Sequence, residues 1–138
     1  MQAIWVEKYG DHNVLQLKTV EKPTVTENQV LVQIASAGLN PVDTYIRSGN
    51  FIFKNEVPFT PGKDGAGIVR EIGPKVKQFK VGQRVFVCMR HLNKYGTYAE
   101  YSLVNEEDTF PLPDCLSFDQ GAALGIPYFT AHRALVHM

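Results

Sequence analysis

The sequence predicts a mainly β chain, arranged as a partly open barrel with short helices. Runs of alternating apolar and polar residues recur as far as Leu103, and turn residues divide them at regular intervals. Helix-start signals are confined to Asn40, Ser117 and Pro127.

Ala3 to Glu7 and Val14 to Val20 form the first expected strand pair, divided by Tyr9-Gly10-Asp11-His12-Asn13. Val30 to Ile34 alternates as a half-buried strand does. Asn40 then opens a helix: it is a favoured N-cap, Pro41 suits the first helical position, and Asp43 places an acid in the first turn. Gly49 is the expected stop. Gly65-Ala66-Gly67 reads as a glycine turn ahead of a strand from Ile68 to Ile72, which Gly73-Pro74 closes. Lys80 to Gln83 reads as a turn before a strand from Arg84 to Val87, and Thr97 to Leu103 alternates again. Ser117 with Gln120 three residues on fits a capping box. Gly125-Ile126-Pro127 interrupts that helix, and Pro127 is expected to open another that runs to Met138. Phe129, Ala131, Ala134 and Leu135 leave this last helix only partly amphipathic, so it calls for a packing partner. An uncovered face there is expected to drive self-association or fraying.

A chain of 138 residues with 44% hydrophobic content can bury a core without disulfides or metal. Fourteen basic and fourteen acidic residues cancel, which speaks against a polyanion-binding surface built on charge. No apolar run approaches a membrane span, and the N-terminus lacks the layout of a secretory signal, so a cytoplasmic protein is expected. Cys88 and Cys115 are expected to be free thiols.

The most informative segment is Gly38-Leu39-Asn40-Pro41-Val42-Asp43-Thr44-Tyr45-Ile46-Arg47-Ser48-Gly49, which puts an amide, a phenol and a guanidinium on one short ledge after a strand. Pro61-Gly62-Lys63-Asp64-Gly65-Ala66-Gly67 follows it. With Gly96-Thr97-Tyr98-Ala99-Glu100-Tyr101 and Gly125-Ile126-Pro127-Tyr128-Phe129-Thr130-Ala131-His132-Arg133-Ala134-Leu135, these runs resemble the zinc-free quinone oxidoreductases. That group is the zeta-crystallin branch of the medium-chain dehydrogenase/reductases. The resemblance implies a GroES-like catalytic domain over residues 1–125 and, over 126–138, the start of a linker helix to a nucleotide-binding domain. No Gly-x-Gly-x-x-Gly that follows a strand and opens a helix occurs in these residues, so the Rossmann half is expected to lie outside them.

Zinc-dependent relatives carry a cysteine and a Gly-His-Glu segment where this chain has Asn40 and Gly62-Lys63-Asp64, and they carry a four-cysteine lobe that is not found between Met89 and Gly96. An amide and an ammonium are not zinc ligands, and His12, His91, His132 and His137 show no ligand spacing with the cysteines, so no zinc is expected. Hydride transfer without a Lewis acid requires an electron-poor acceptor, which a quinone or an activated enone provides.

The resemblance therefore implies NADPH as cofactor, a quinone or activated enone as substrate, and a homo-oligomer for a full-length protein. Asn40 and Tyr45 are the implied catalytic residues. Asn40, Pro41, Val42, Tyr45, Tyr128 and Thr130 are the implied cofactor contacts. A plain N-cap for Asn40, a half-buried core position for Tyr45 and a covered helix position for Thr130 are the structural alternatives. Asp43 either orients its neighbours or complements the helix dipole. Arg47 pairs with a phosphate or carboxylate, or makes a surface ion pair. Lys63 and Asp64 belong to the substrate cleft and are expected to pair with each other. Phe51, Phe53 and Phe59 form either an aromatic lip for a flat quinone or ordinary loop packing. The isolated chain is expected to be inactive as a reductase. The alternatives are an enone or alkenal reductase of the same superfamily and a non-catalytic truncated form, whether crystallin-like, RNA-binding or an interaction module. Balanced charge and the lack of a basic-aromatic motif argue against RNA.

Overall fold

Valine and isoleucine at alternate positions make the strands, and the computed structural model, which describes residues 1–136, shows where the two faces go. The strands are β1 (Gln2–Trp5), β2 (Gln16–Thr19), β3 (Gln29–Gly38), β4 (Asp64–Ile72), β5 (Arg84–Cys88), β6 (Tyr101–Asn105) and β7 (Thr109–Pro111). The helices are α1 (Pro41–Ser48), α2 (Phe118–Ala122) and α3 (Gly125–Val136). An antiparallel sheet of five strands runs β6-β3-β4-β5-β7, and β1 pairs with β2 as a separate hairpin. Single bridges from Ala3 to Ala99 and from Val6 to Phe59 tie the hairpin to the sheet, which gives the partly open barrel expected.

Alternation sorts β5 cleanly. Val85 and Val87 enter the main core with Val30, Val32, Val69, Phe79, Met89 and Val104. Phe86 points the other way, onto Ala66, Leu112 and Ala122 under α2. A third cluster, Val6, Val14, Ile46 and Phe59, lies beneath α1.

Several expected boundaries moved. Gly65, Ala66 and Gly67 lie inside β4 and not in a turn before it, opposite a bulge of β3 between Ile34 and Ser36. A side chain at Gly67 would sit 1.9 Å from the Gln33 carbonyl oxygen, so the glycine answers a close approach of strands. Val14 ends a 3-10 turn (His12–Val14) and does not start a strand. The strand expected from Thr97 begins at Tyr101 because Gly96, Thr97 and Tyr98 spend their N–H groups on the 60–62 segment. β7 and the 3-10 turn Glu106–Asp108 had no signal in the alternation.

The helix signals hold better. Gly49 ends α1 in the left-handed region, φ 77°. Ser117 and Gln120 close a reciprocal capping box on α2. α3 starts at Gly125, two residues before the expected Pro127, because the Ile126 N–H is already satisfied from outside the helix. The Phe129 ring touches Phe110 and Phe86 at 5.2 and 6.3 Å, yet it is itself exposed, as is every residue of α3 from Pro127 to Val136. The expected extension of this helix through His137 and Met138 lies outside the described residues. Both cysteines are free, Cys88 buried and Cys115 exposed.

Candidate functional site

β3 ends at Gly38, and two residues later the chain turns into α1. Asn40 sits at that corner and is buried, with 8% of its surface exposed. Asn40 and Asp43 close a capping box: the Asn40 N–H donates to Asp43 Oδ2 at 2.9 Å, and the Asp43 N–H turns to Asn40, 3.0 Å from its backbone carbonyl. The NH2 end of the Asn40 side chain points inward, where Nδ2 donates to Asp64 Oδ2 at 2.9 Å. The amide carbonyl faces the start of α1, where it shares in the box and keeps a second lone pair for a ligand.

Asp64, the first residue of β4, is 1% exposed and joins three elements. Its Oδ2 takes the Asn40 amide from α1 and the Ile126 N–H at 2.7 Å from the first turn of α3. Gly125 makes room: a Cβ there would lie 2.2 Å from Asp64 Oδ1. A carboxylate at a helix N-terminus is favourable electrostatically. Burial nevertheless pushes the Asp64 carboxyl above its usual range, against the pull of the Ile126 N–H, the Asn40 amide and the Cys88 thiol.

Asp43 forms the second half of the cluster. Oδ2 also accepts the Tyr98 hydroxyl at 2.9 Å, so one carboxylate oxygen holds a backbone N–H and a phenol. Burial raises Asp43 as well, and the same desolvation raises the Tyr98 hydroxyl and pushes the Cys88 thiol up to about 12. Cys88 faces Asp64 across the β4–β5 ladder and is therefore an inert thiol at neutral pH. Burial lowers Lys63.

Asn40, Asp43 and Tyr98 border a cleft of about 330 Å³ that Leu15, Leu39, Pro41, Thr44 and Arg47 help to line, with Tyr98 and Asp43 at its floor. Its wall is chiefly apolar, as a site for a flat organic ring requires.

The expected site residues divide. Asn40, Pro41 and Asp64 belong to the cluster or its cleft. Lys63 does not pair with Asp64. The two are sequence neighbours entering a strand, so their side chains leave on opposite faces, and Lys63 Nζ donates to the His91 carbonyl at 2.8 Å. Phe59 is fully buried with Val6, Val14 and Ile46, so it is core and not part of a substrate cleft. Its neighbours make a different pair: Phe51 leans on that core, and Phe53 meets it edge-on at 6.2 Å and is exposed. Tyr45 is 53% exposed, which removes the core alternative for it. Val42, on α1, packs onto the cluster of Val6, Val14, Ile46 and Phe59. Tyr128 and Thr130 are both exposed, as is all of α3 from Pro127 to Val136. Arg47 donates through Nε to the Gly10 carbonyl at 3.3 Å in place of the expected surface ion pair.

Tyr98 and Gly125 are the participants that sequence reasoning missed. Tyr98 meets Asp43 across 55 residues, and no local spacing announces that contact. Among the described residues, no group of three or more His, Cys, Asp or Glu side chains is placed to hold a metal ion, and no helix is long and apolar enough to cross a membrane.

A partly open antiparallel barrel with a capped helix over one end and a second helix leaving beside it is the GroES-like architecture. Residues 26–114 match the alcohol dehydrogenase GroES-like domain, and the chain belongs to that family. It is 49% identical over 138 residues to the quinone oxidoreductase of Mus musculus and 44% identical to that of Homo sapiens; in both cases 99% of this chain is covered. The chain spans about 41% of the length of those curated relatives. It also superposes on the crystal structure of Escherichia coli quinone oxidoreductase complexed with NADPH, with a TM-score of 0.90 and 32% identity over 99% of this chain and 40% of that one.

Proposed function

We propose that this chain supplies the catalytic-domain wall of an NADPH-dependent quinone oxidoreductase that works without zinc. The observation that carries this reading is the Asn40 amide, fixed by Asp64 and buried at the rim of an apolar cleft. Support comes also from the relatives' own description as quinone oxidoreductases and from the NADPH complex of the Escherichia coli structure.

When bound, the reduced nicotinamide supplies a hydride. The chain's own residues position and shield. Asn40 offers an acceptor suited to a carboxamide or amide donor, with Pro41, Val42 and Tyr45 beside it on α1. Tyr128 and Thr130, both exposed on α3, are open to contact with the nucleotide. Leu15, Leu39 and Pro41 give an apolar ring a dry wall. A quinone that accepts two electrons as hydride needs one further proton to become a hydroquinone. That proton comes from water, because the Tyr98 hydroxyl on the cleft floor is made less acidic by burial and by Asp43 and keeps its proton in the bond to Asp43 Oδ2. Asn40 and Lys63 offer no zinc ligand where a Lewis acid would act, which favours an acceptor that is already electron-poor.

The test uses the 138-residue polypeptide beside a polypeptide of the relatives' length that begins with it. The longer one is expected to oxidise NADPH with a quinone, the shorter one to show no turnover, and Asn40→Ala in the longer one to lower kcat/KM at least about tenfold, the effect of losing one positioning contact. Turnover unchanged in Asn40→Ala, or NADPH oxidation by the 138 residues alone, overturns the reading.

A further inference from the structure

Beneath α1, beside the cleft and sharing Asp43 and Pro61 with it, lies a small pocket. Its lining includes Asp43, Ile46, Asn55, Thr60, Lys63 and Met89. Two of its polar atoms stand out. Asp43 Oδ1 and Thr60 Oγ1 are both buried, in side chains only 6% and 1% exposed, and no group among the described residues hydrogen-bonds to either. Such orphans are rare and costly in a folded protein. Asp43 cannot rotate to relieve its own, because Oδ2 already serves the Asn40 N–H and the Tyr98 hydroxyl. Two donors in the lining are directed elsewhere: Lys63 Nζ to the His91 carbonyl, and Asn55 Nδ2 to the Asn93 carbonyl at 3.2 Å.

The free volume is ≈ 10 Å³, about that of one water-sized probe. We propose that this pocket is a binding site for a single structural water that donates to Asp43 Oδ1 and bonds Thr60 Oγ1, stitching α1 to the Phe59–Pro61 segment. The chemistry selects water over an ion. An ionised carboxylate accepts only, so the occupant must bring a donor; a hydroxyl takes either role. A metal cation is opposed by the Lys63 ammonium in the wall, and an anion is opposed by Asp43. Asp43 is also the residue that fixes Tyr98 and the Asn40 backbone, so the water secures the floor of the neighbouring cleft from behind. The site does not depend on which acceptor the cleft takes.

The test needs only the 138-residue chain. A crystal structure that shows ordered solvent is expected to place a water about 2.6–3.2 Å from both oxygens. In solution, that long-lived water is expected to give a water–protein Overhauser signal at Thr60. The variant Thr60→Val keeps the shape and removes the hydroxyl. If the water bridges, the variant loses the Overhauser signal and its Tm falls by about 3–6 °C, the size of one lost hydrogen bond in a domain this large. Thr60→Ser keeps the signal. If instead the pocket is dry, Thr60→Val removes an unpaired buried hydroxyl and its Tm rises, which overturns the proposal. A dry pocket in the wild-type crystal structure, or a peak between the two oxygens that appears only with sodium or potassium in the buffer, overturns it as well.

Discussion

Replacing Asp64 by alanine tests the junction on which the site rests. The carboxylate receives the Asn40 amide at 2.9 Å and the Ile126 N–H at 2.7 Å, and all three residues are buried or half-buried. Truncation leaves two donors without an acceptor. Each such loss costs roughly 1–3 kcal/mol, so the variant should lose about 2–6 kcal/mol of unfolding free energy. Asp64→Asn is the control. Its amide oxygen can occupy the Oδ2 position and serve both donors, and a buried charge disappears at the same time, so its cost is expected to stay within about 1 kcal/mol. Urea unfolding followed by circular dichroism gives both numbers. Amide hydrogen exchange adds a local reading: the Ile126 N–H should lose protection in Asp64→Ala and keep most of it in Asp64→Asn. If Asp64→Ala unfolds within about 0.5 kcal/mol of wild type, or if Ile126 keeps its protection, the carboxylate is not the joint between α1, β4 and α3.

The other predictions concern pH, the aromatic cluster and the helix stop. Burial raises Asp43 and Asp64 above the ordinary value of 3.8. Between that value and the raised one the folded chain holds more protons than the unfolded chain, so their contribution to stability is complete below 3.8 and is lost as pH climbs through the raised range. Melting curves from acid to neutral pH should therefore fall more steeply for wild type than for Asp64→Asn, and parallel curves would contradict the assignment. Phe59→Ala should cost about 3–5 kcal/mol in urea unfolding because it empties a core position, while Phe53→Ala, at an exposed ring, should change stability by less than about 1 kcal/mol. Equal effects would undo the division of that cluster. Gly49→Ala should cost at least about 1 kcal/mol, since the left-handed conformation penalises a Cβ and the Tyr9 ring lies 3.1 Å from where that Cβ would be. A neutral melting temperature would show that α1 ends otherwise.

Local chemistry was legible in the chain itself. The Ser117–Gln120 box, the Asn40–Pro41–Asp43 opening and the Gly49 stop are set by groups within four residues of one another, and the helices they frame form in those places. Alternation marked β3, β4 and β5 for the same reason: a strand's two faces are decided residue by residue. The segment running to Asn40 and the one holding Asp64 also announced themselves by residue type. Their meeting did not. Asn40 and Asp64 are 24 residues apart, Ile126 and Asp64 are 62, and Tyr98 and Asp43 are 55. Only packing of the sheet brings them within a hydrogen bond, and only packing sends Phe59 into the core while Phe53 stays in water. Contacts that one turn or one pleat can satisfy are encoded locally, whereas those that depend on which strand lies beside which are decided when the whole sheet closes over its core.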